Sequence, residues 1–180
     1  MSRVNKLKDH MLNLNVNGTD IKSYDSITLL GVDIDNALNF SGHISNICKK
    51  SSQRVGVISR LRNLIPQTAK LQLFKSAILP CLTYCSTFWN LCKASDSRKL
   101  ERVQERALRA IYCDSNSTYP ELLERAKLPT LYNRRLQDIA VLMYKVKNGL
   151  CPDYIFRLFV IKSNHYNLRP RVMVSIRSDT

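Results

Sequence analysis

The sequence predicts a mainly α-helical protein, with a short N-terminal β-hairpin followed by a bundle of about five or six helices. Three observations lead there. Apolar and polar residues alternate before residue 35. From about residue 41 the apolar spacing changes to three and four. Helix start and stop signals then punctuate the rest of the chain.

Residues 11–34 read as two strands. MLNLNV alternates, and Asn17-Gly18 is a strong hairpin turn. SITLLGVDI, rich in β-formers, reads as the second strand. A lone hairpin is marginal in water, so it needs a helix layer or a further sheet. The next segment places Ile44, Ile47, Cys48, Ser51, Val55, Ile58 and Ile65 on one helical face, with Asn39 or Ser41 as the cap. Pro66 breaks that helix or opens the next. Leu71, Phe74, Ile78, Cys81 and Cys85 form a second stripe, kinked by Pro80. Residues 76–92 contain no charged residue. That is fewer than the roughly 20 residues a bilayer span needs, so a buried core helix is expected there, and no membrane partner. Tyr84, Phe88 and Trp89 are assigned to that core.

Ser95 starts a third helix, which runs to about Cys113. Thr118-x-x-Glu121 is a capping box for a short helix through Ala126. Thr130 caps another, with Leu136, Ile139, Leu142, Met143 and Val146 facing inward and Asn148-Gly149 as the stop. CPDYIFRLF reads as a last short helix, with Pro152 in its first turn. Beyond Lys162 the chain is polar. The expected divisions are residues 1–40, 41–113, 114–162 and a polar tail at 163–180.

The chain has 180 residues, 44% hydrophobic and 23% charged, an ordinary globular composition. Five Gly are too few for a glycine-rich phosphate loop. The net charge of +14 is uneven: residues 41–112 carry 13 Lys/Arg against 3 Asp/Glu, a net +10. Such a block points to a polyanionic partner, nucleic acid above all. The six cysteines form no C-x-x-C pair, and His10, His43 and His165 are far apart, so zinc spacing is absent. Reduced, buried thiols and an intracellular setting, cytoplasmic or nuclear, are expected.

Asp33 and Asp35, one residue apart in LLGVDIDNALNFSGHI, fall on the same side of a strand. Paired carboxylates suit a metal ion, but no further ligands stand nearby in sequence. They read as a solvated strand end that limits edge pairing, with His43 in the first turn of the following helix. No metal and no catalytic residue is assigned.

The third helix carries the clearest signal. At 100° per residue, Arg98, Lys99, Arg102, Arg106 and Arg109 share an arc of about 100°, with Leu100, Val103, Ala107 and Ile111 on the other side. A row of cations at helical spacing suits a phosphodiester backbone; a solvated surface face is the alternative. Lys49, Lys50, Arg54, Arg60 and Arg62 add a second basic helix of looser geometry. Aromatics are scarce near these cations, so backbone contact with little sequence readout is expected.

The ordered series LLGVDIDNALNFSGHI, ICKKSSQRVGVISRLRNLIP, KSAILPCLTYCSTFWN, KLERVQERALRAIYCD, YPELLERAKLPTLYNRRL, VKNGLCPDYIFRLF and YNLRP resembles the C-terminal part of reverse transcriptases from jockey-like, non-LTR (LINE-type) retrotransposons. The resemblance covers about residues 20–170 and implies an RNA-directed DNA polymerase relationship. It implies a thumb-like helical region holding a template–primer duplex through Arg98, Lys99, Arg102, Arg106 and Arg109, assisted by Lys49, Lys50 and Arg54. It places Leu30, Gly31 and Val32 in a primer-grip-like position. The family's polymerases hold two metal ions on palm aspartates, including an adjacent Asp-Asp pair; this sequence has no adjacent Asp-Asp. The expectation is therefore a truncated reverse transcriptase, without palm or fingers and not catalytic alone. A divalent metal such as Mg would belong only to the full polymerase. The alternative is an inactive structural or protein-interaction helical fragment.

Overall fold

The computed structural model describes residues 14–21, 24–61, 63–157, 159–162 and 173–176. Met11 to Asn13, Arg62 and the YNLRP stretch lie outside them. The mainly helical fold expected from the sequence is the one observed, with the strands divided more finely.

Two N-terminal hairpins are present. Strands β1 (Leu14–Val16) and β2 (Thr19–Ile21) pair antiparallel around Asn17-Gly18, with Val16 opposite Thr19. SITLLGVDI, expected as one strand, is itself a hairpin: β3 (Ser26–Leu29) pairs with β4 (Val32–Asp35). The two-residue turn is Leu30-Gly31, with φ of 49° and 81°. Positive φ at both central residues defines the turn that matches strand twist, and Gly adopts it without steric cost.

The connection into the first helix does not use the expected caps. Helix α1 (Ser41–Arg60) begins after Phe40, whose φ is 55° and which supplies no side-chain cap. Asp35 does the work instead. Its carboxylate accepts from the backbone N–H of Ala37 (2.9 Å), Asn39 (3.0 Å) and Phe40 (3.1 Å). Ser41 turns its hydroxyl to Asp96 at 2.6 Å.

Helices α2 (Gln67–Leu73) and α3 (Leu79–Thr83) are two parts of one helical run, joined by a π-helical turn at Phe74–Ile78. Pro80 lacks an N–H and opens the backbone ladder there. Arg54 donates to the Ala77 carbonyl in this turn. The run stops at Thr83, so the uncharged stretch is not one helix to Cys92; Cys85 has φ of 50°. Trp89 is fully buried as expected, whereas Tyr84 and Phe88 are exposed. All three lie on turns beyond the helix end, so helical spacing does not set which of them faces the core. All six cysteines are free.

Helix α4 (Ala94–Tyr112) packs along α1. Its apolar stripe, Leu100, Val103, Ala107 and Ile111, is buried as its spacing requires. Helix α5 (Tyr119–Ala126) starts at the expected box, where the Thr118 N–H donates to Glu121 at 2.9 Å. Helix α6 (Leu131–Lys147) starts at Thr130, whose hydroxyl accepts from the Asn133 N–H at 3.1 Å. Gly149, at φ 65°, follows its end. One core joins α1, the π turn, α4, α5 and the start of α6, including Ile44, Phe74, Trp89, Leu108, Leu122 and Leu131.

Two differences concern α6 and the C-terminus. Leu136, expected inward, is exposed, and Arg135 is buried in its place. Helix α7 (Asp153–Phe156) is shorter than CPDYIFRLF, whose last Phe begins β5 (Phe159–Lys162). Strand β5 pairs antiparallel with β6 (Met173–Ile176), so the expected polar tail contains a strand. Among the described residues, no helix is long and apolar enough to cross a membrane.

Candidate nucleic-acid interface

Burial of the apolar stripe of α4 against α1 leaves the cationic arc facing outward. Arg98, Lys99, Arg102 and Arg106 are exposed and Arg109 is half-buried. Three of the five have local partners. Arg98 reaches back to the Ala94 carbonyl at 3.4 Å. Lys99 pairs with the buried Asp96 at 2.8 Å. Arg109 grips Glu105 through Nε (3.2 Å) and Nη2 (2.8 Å), and Nη1 donates to the Ser115 carbonyl at 2.9 Å. Arg102 and Arg106 have no ion-pair partner among the described residues.

Lys49 of α1 lines the same shallow groove as Arg106, with Gln53 and Ser59 between the two helices. Lys50 and Arg54 do not join that face. Consecutive helical residues point about 100° apart, and these two line a separate cleft on the other flank of α1. The eight cations expected to act together therefore stand on two sides of one helix. Six of them, the five of α4 and Lys49, form the α4 side.

The hairpin tip expected near a primer end divides as well. Leu30 is 83% exposed, whereas Val32 is buried at 6%. The Tyr84 hydroxyl donates to the Leu30 carbonyl at 2.9 Å and fixes the tip against the end of α3.

Asp33 and Asp35 stand half-exposed at the end of β4, as the sequence suggested, and each is also tied down by hydrogen bonds. Asp35 is consumed by the three backbone N–H groups described above. Asp33 accepts from Thr28 (2.7 Å) and Asn46 (3.0 Å). Its backbone N–H donates to His43 Nδ1 at 3.2 Å, which leaves the ring proton on Nε2. The 3.7 Å approach of Nδ1 to the Asp33 carboxylate is therefore not an ion pair. Among the described residues, no cluster of three or more His, Cys, Asp or Glu could hold a metal ion.

Several acids are held ionised by their bonds. The Thr28 and Asn46 bonds keep the Asp33 carboxyl below its usual range. Lys99 and Ser41 do the same for Asp96. The Ser117 hydroxyl and N–H hold Asp114 well below the carboxylate range. A carboxyl depressed in the folded state stabilises the fold fully above its unfolded value, about 4, and loses that contribution as pH falls toward the folded value. The thermal midpoint is thus expected to fall between pH 5 and pH 3, and Asp114→Asn should flatten that decline. An unchanged midpoint across this range would contradict the assignment.

Sequence reasoning missed the polar groups that lock the helices together. Glu101, on α4, accepts from the Tyr119 hydroxyl (2.6 Å) and from the N–H groups of Leu131 (3.3 Å) and Tyr132 (2.8 Å). Burial, together with this bond, pushes the Tyr119 phenol far above its usual range. Arg135 lies 5.6 Å from the Trp89 ring centroid and donates to Ser97 at 2.6 Å. The wheel signalled Arg135, since it shares an arc with Leu131, Leu142 and Val146. No local pattern signals Glu101, whose partners are 18 to 31 residues away.

No protein-family model matches the chain. No solved structure matches it. Among curated proteins, the chain is similar to the RNA-directed DNA polymerase from mobile element jockey of Drosophila melanogaster, at 31% identity over 101 residues. That stretch is 54% of this chain and only 11% of the longer polymerase. The chain is thus related, at a distance, to a small part of a retrotransposon reverse transcriptase.

Proposed function

We propose that this protein binds the phosphate backbone of a nucleic-acid duplex through the outer face of α4, as the thumb-like part of a reverse transcriptase, and has no catalytic activity alone. One observation supports this most: Arg102 and Arg106 are exposed, have no acidic partner among the described residues, and lie in line with Arg98. At 1.5 Å rise per residue, this four-residue spacing sets the cations about 6 Å apart along the helix. Lys49 widens the face across the groove to α1. No aromatic stands in the arc, so base stacking is not part of the mode and binding is independent of sequence. The activity of the jockey relative, RNA-directed DNA polymerase, makes a template–primer duplex the natural substrate. Leu30 and Gly31, at an exposed turn, occupy the primer-grip-like position.

Fluorescence anisotropy of a labelled blunt duplex tests the reading. Each phosphate contact contributes about −0.9 to the slope of log affinity against log salt, so four or five contacts give a slope near −4. Equal affinity for unrelated sequences is expected. The outer side of α6, where Leu136, Val141 and Tyr144 are exposed, favours a protein-binding role instead. An absence of salt-sensitive duplex binding would support that second reading.

A further inference from the structure

On the flank of α1 opposite the α4 face lies a cleft of about 880 Å³ between the β3–β4 hairpin, α1 and the π turn. Its size falls within the roughly 300–1,000 Å³ typical of small-molecule sites. Ile47, Ile58, Leu73, Ile78 and Pro80 give it an aliphatic lining. Two cations, Lys50 and Arg54, one helical turn apart, stand on one wall. Arg54 donates one N–H to the Ala77 carbonyl, and neither cation has an acidic partner among the described residues. Asp33, the one carboxylate in the lining, is already engaged by Thr28 and Asn46. His43 also lines the cleft and is only 4% exposed.

We infer that this cleft binds a small amphiphilic anion, an apolar body carrying a carboxylate or sulfonate. The aliphatic walls take the body, and Lys50 and Arg54 take the charge. A nucleotide fits the lining less well, because a base presents polar edges that aliphatic walls leave unpaired. The cleft is separate from the α4 face, so the inference stands independently of duplex binding.

The test is a fluorescence titration of the full chain with 8-anilinonaphthalene-1-sulfonate. One saturable site per chain is expected, displaced by dodecanoate and not by a blunt DNA duplex. Val57→Glu, at a half-exposed lining position, sets a carboxylate beside Arg54 and should weaken binding at least tenfold with an unchanged thermal midpoint. Lys50→Gln with Arg54→Gln should weaken it similarly. Dye binding unaffected by these changes would overturn the assignment. Displacement by the duplex would also overturn it, assigning the cleft to nucleic acid. Duplex affinity measured on the same variants separates failure here from failure of the α4 reading.

Discussion

Trp89→Ala is expected to lower the unfolding free energy by about 3–5 kcal/mol, the cost of emptying a large buried aromatic site. Trp89 is fully buried in a turn that follows α3, and its indole N–H donates to the Tyr84 carbonyl at 2.9 Å. Its ring also lies near the buried guanidinium of Arg135. The substitution therefore removes packing, a hydrogen bond and a cation–π partner together. For a chain of this size the midpoint should drop by roughly 10 °C. Arg135→Met should cost far less. Among the described residues, Arg135 Nε and Nη1 have no hydrogen-bond partner and no carboxylate pairs with the group, so an apolar replacement of similar length relieves buried polar strain. Urea denaturation of both variants checks the ranking, and an Arg135→Met loss as large as that of Trp89→Ala would contradict it.

Glu101→Ala is the second large effect, at about 2–4 kcal/mol. The carboxylate fastens α4 to the start of α6 and to α5 through three donors. Removing it strands the Tyr119 hydroxyl and the Leu131 N–H in a part-buried site, and each orphaned donor costs about 1–3 kcal/mol before relaxation recovers some, while the exposed Tyr132 N–H turns to water. Glu101→Gln keeps one acceptor oxygen and should cost clearly less. Equal losses for the two variants would show that the carboxylate is not the joint described.

The helices were legible in the sequence wherever periodicity and end signals agreed. The apolar stripes of α1 and α4, the Thr118 and Thr130 starts and the Asn148-Gly149 stop all follow from spacing and capping chemistry. The errors have physical sources. Leu30-Gly31 was hidden inside an apolar run, because Leu at positive φ carries no turn signal. The uncharged stretch looked helical to Cys92 because composition alone cannot show that the run ends at Thr83. Leu136 was assigned inward although its neighbour Arg135 occupies the inner arc. The basic arc was legible because its cations share one helix. That Lys50 and Arg54 turn away from it was not, since that depends on which flank of α1 receives α4. Asp33 and Asp35 could not be told from a metal pair by spacing; the bonds from Thr28, Asn46 and three backbone N–H groups decide it.

The most direct test of the α4 face is the salt dependence of duplex affinity for the unaltered chain and for an Arg98→Gln, Arg102→Gln, Arg106→Gln variant. These side chains are exposed, so the variant should fold with little change in its midpoint. Three lost phosphate contacts should reduce the magnitude of the log–log slope by about 2.7 and weaken binding equally for unrelated sequences. An unchanged slope and affinity in the folded variant would contradict the assignment of this face to nucleic acid.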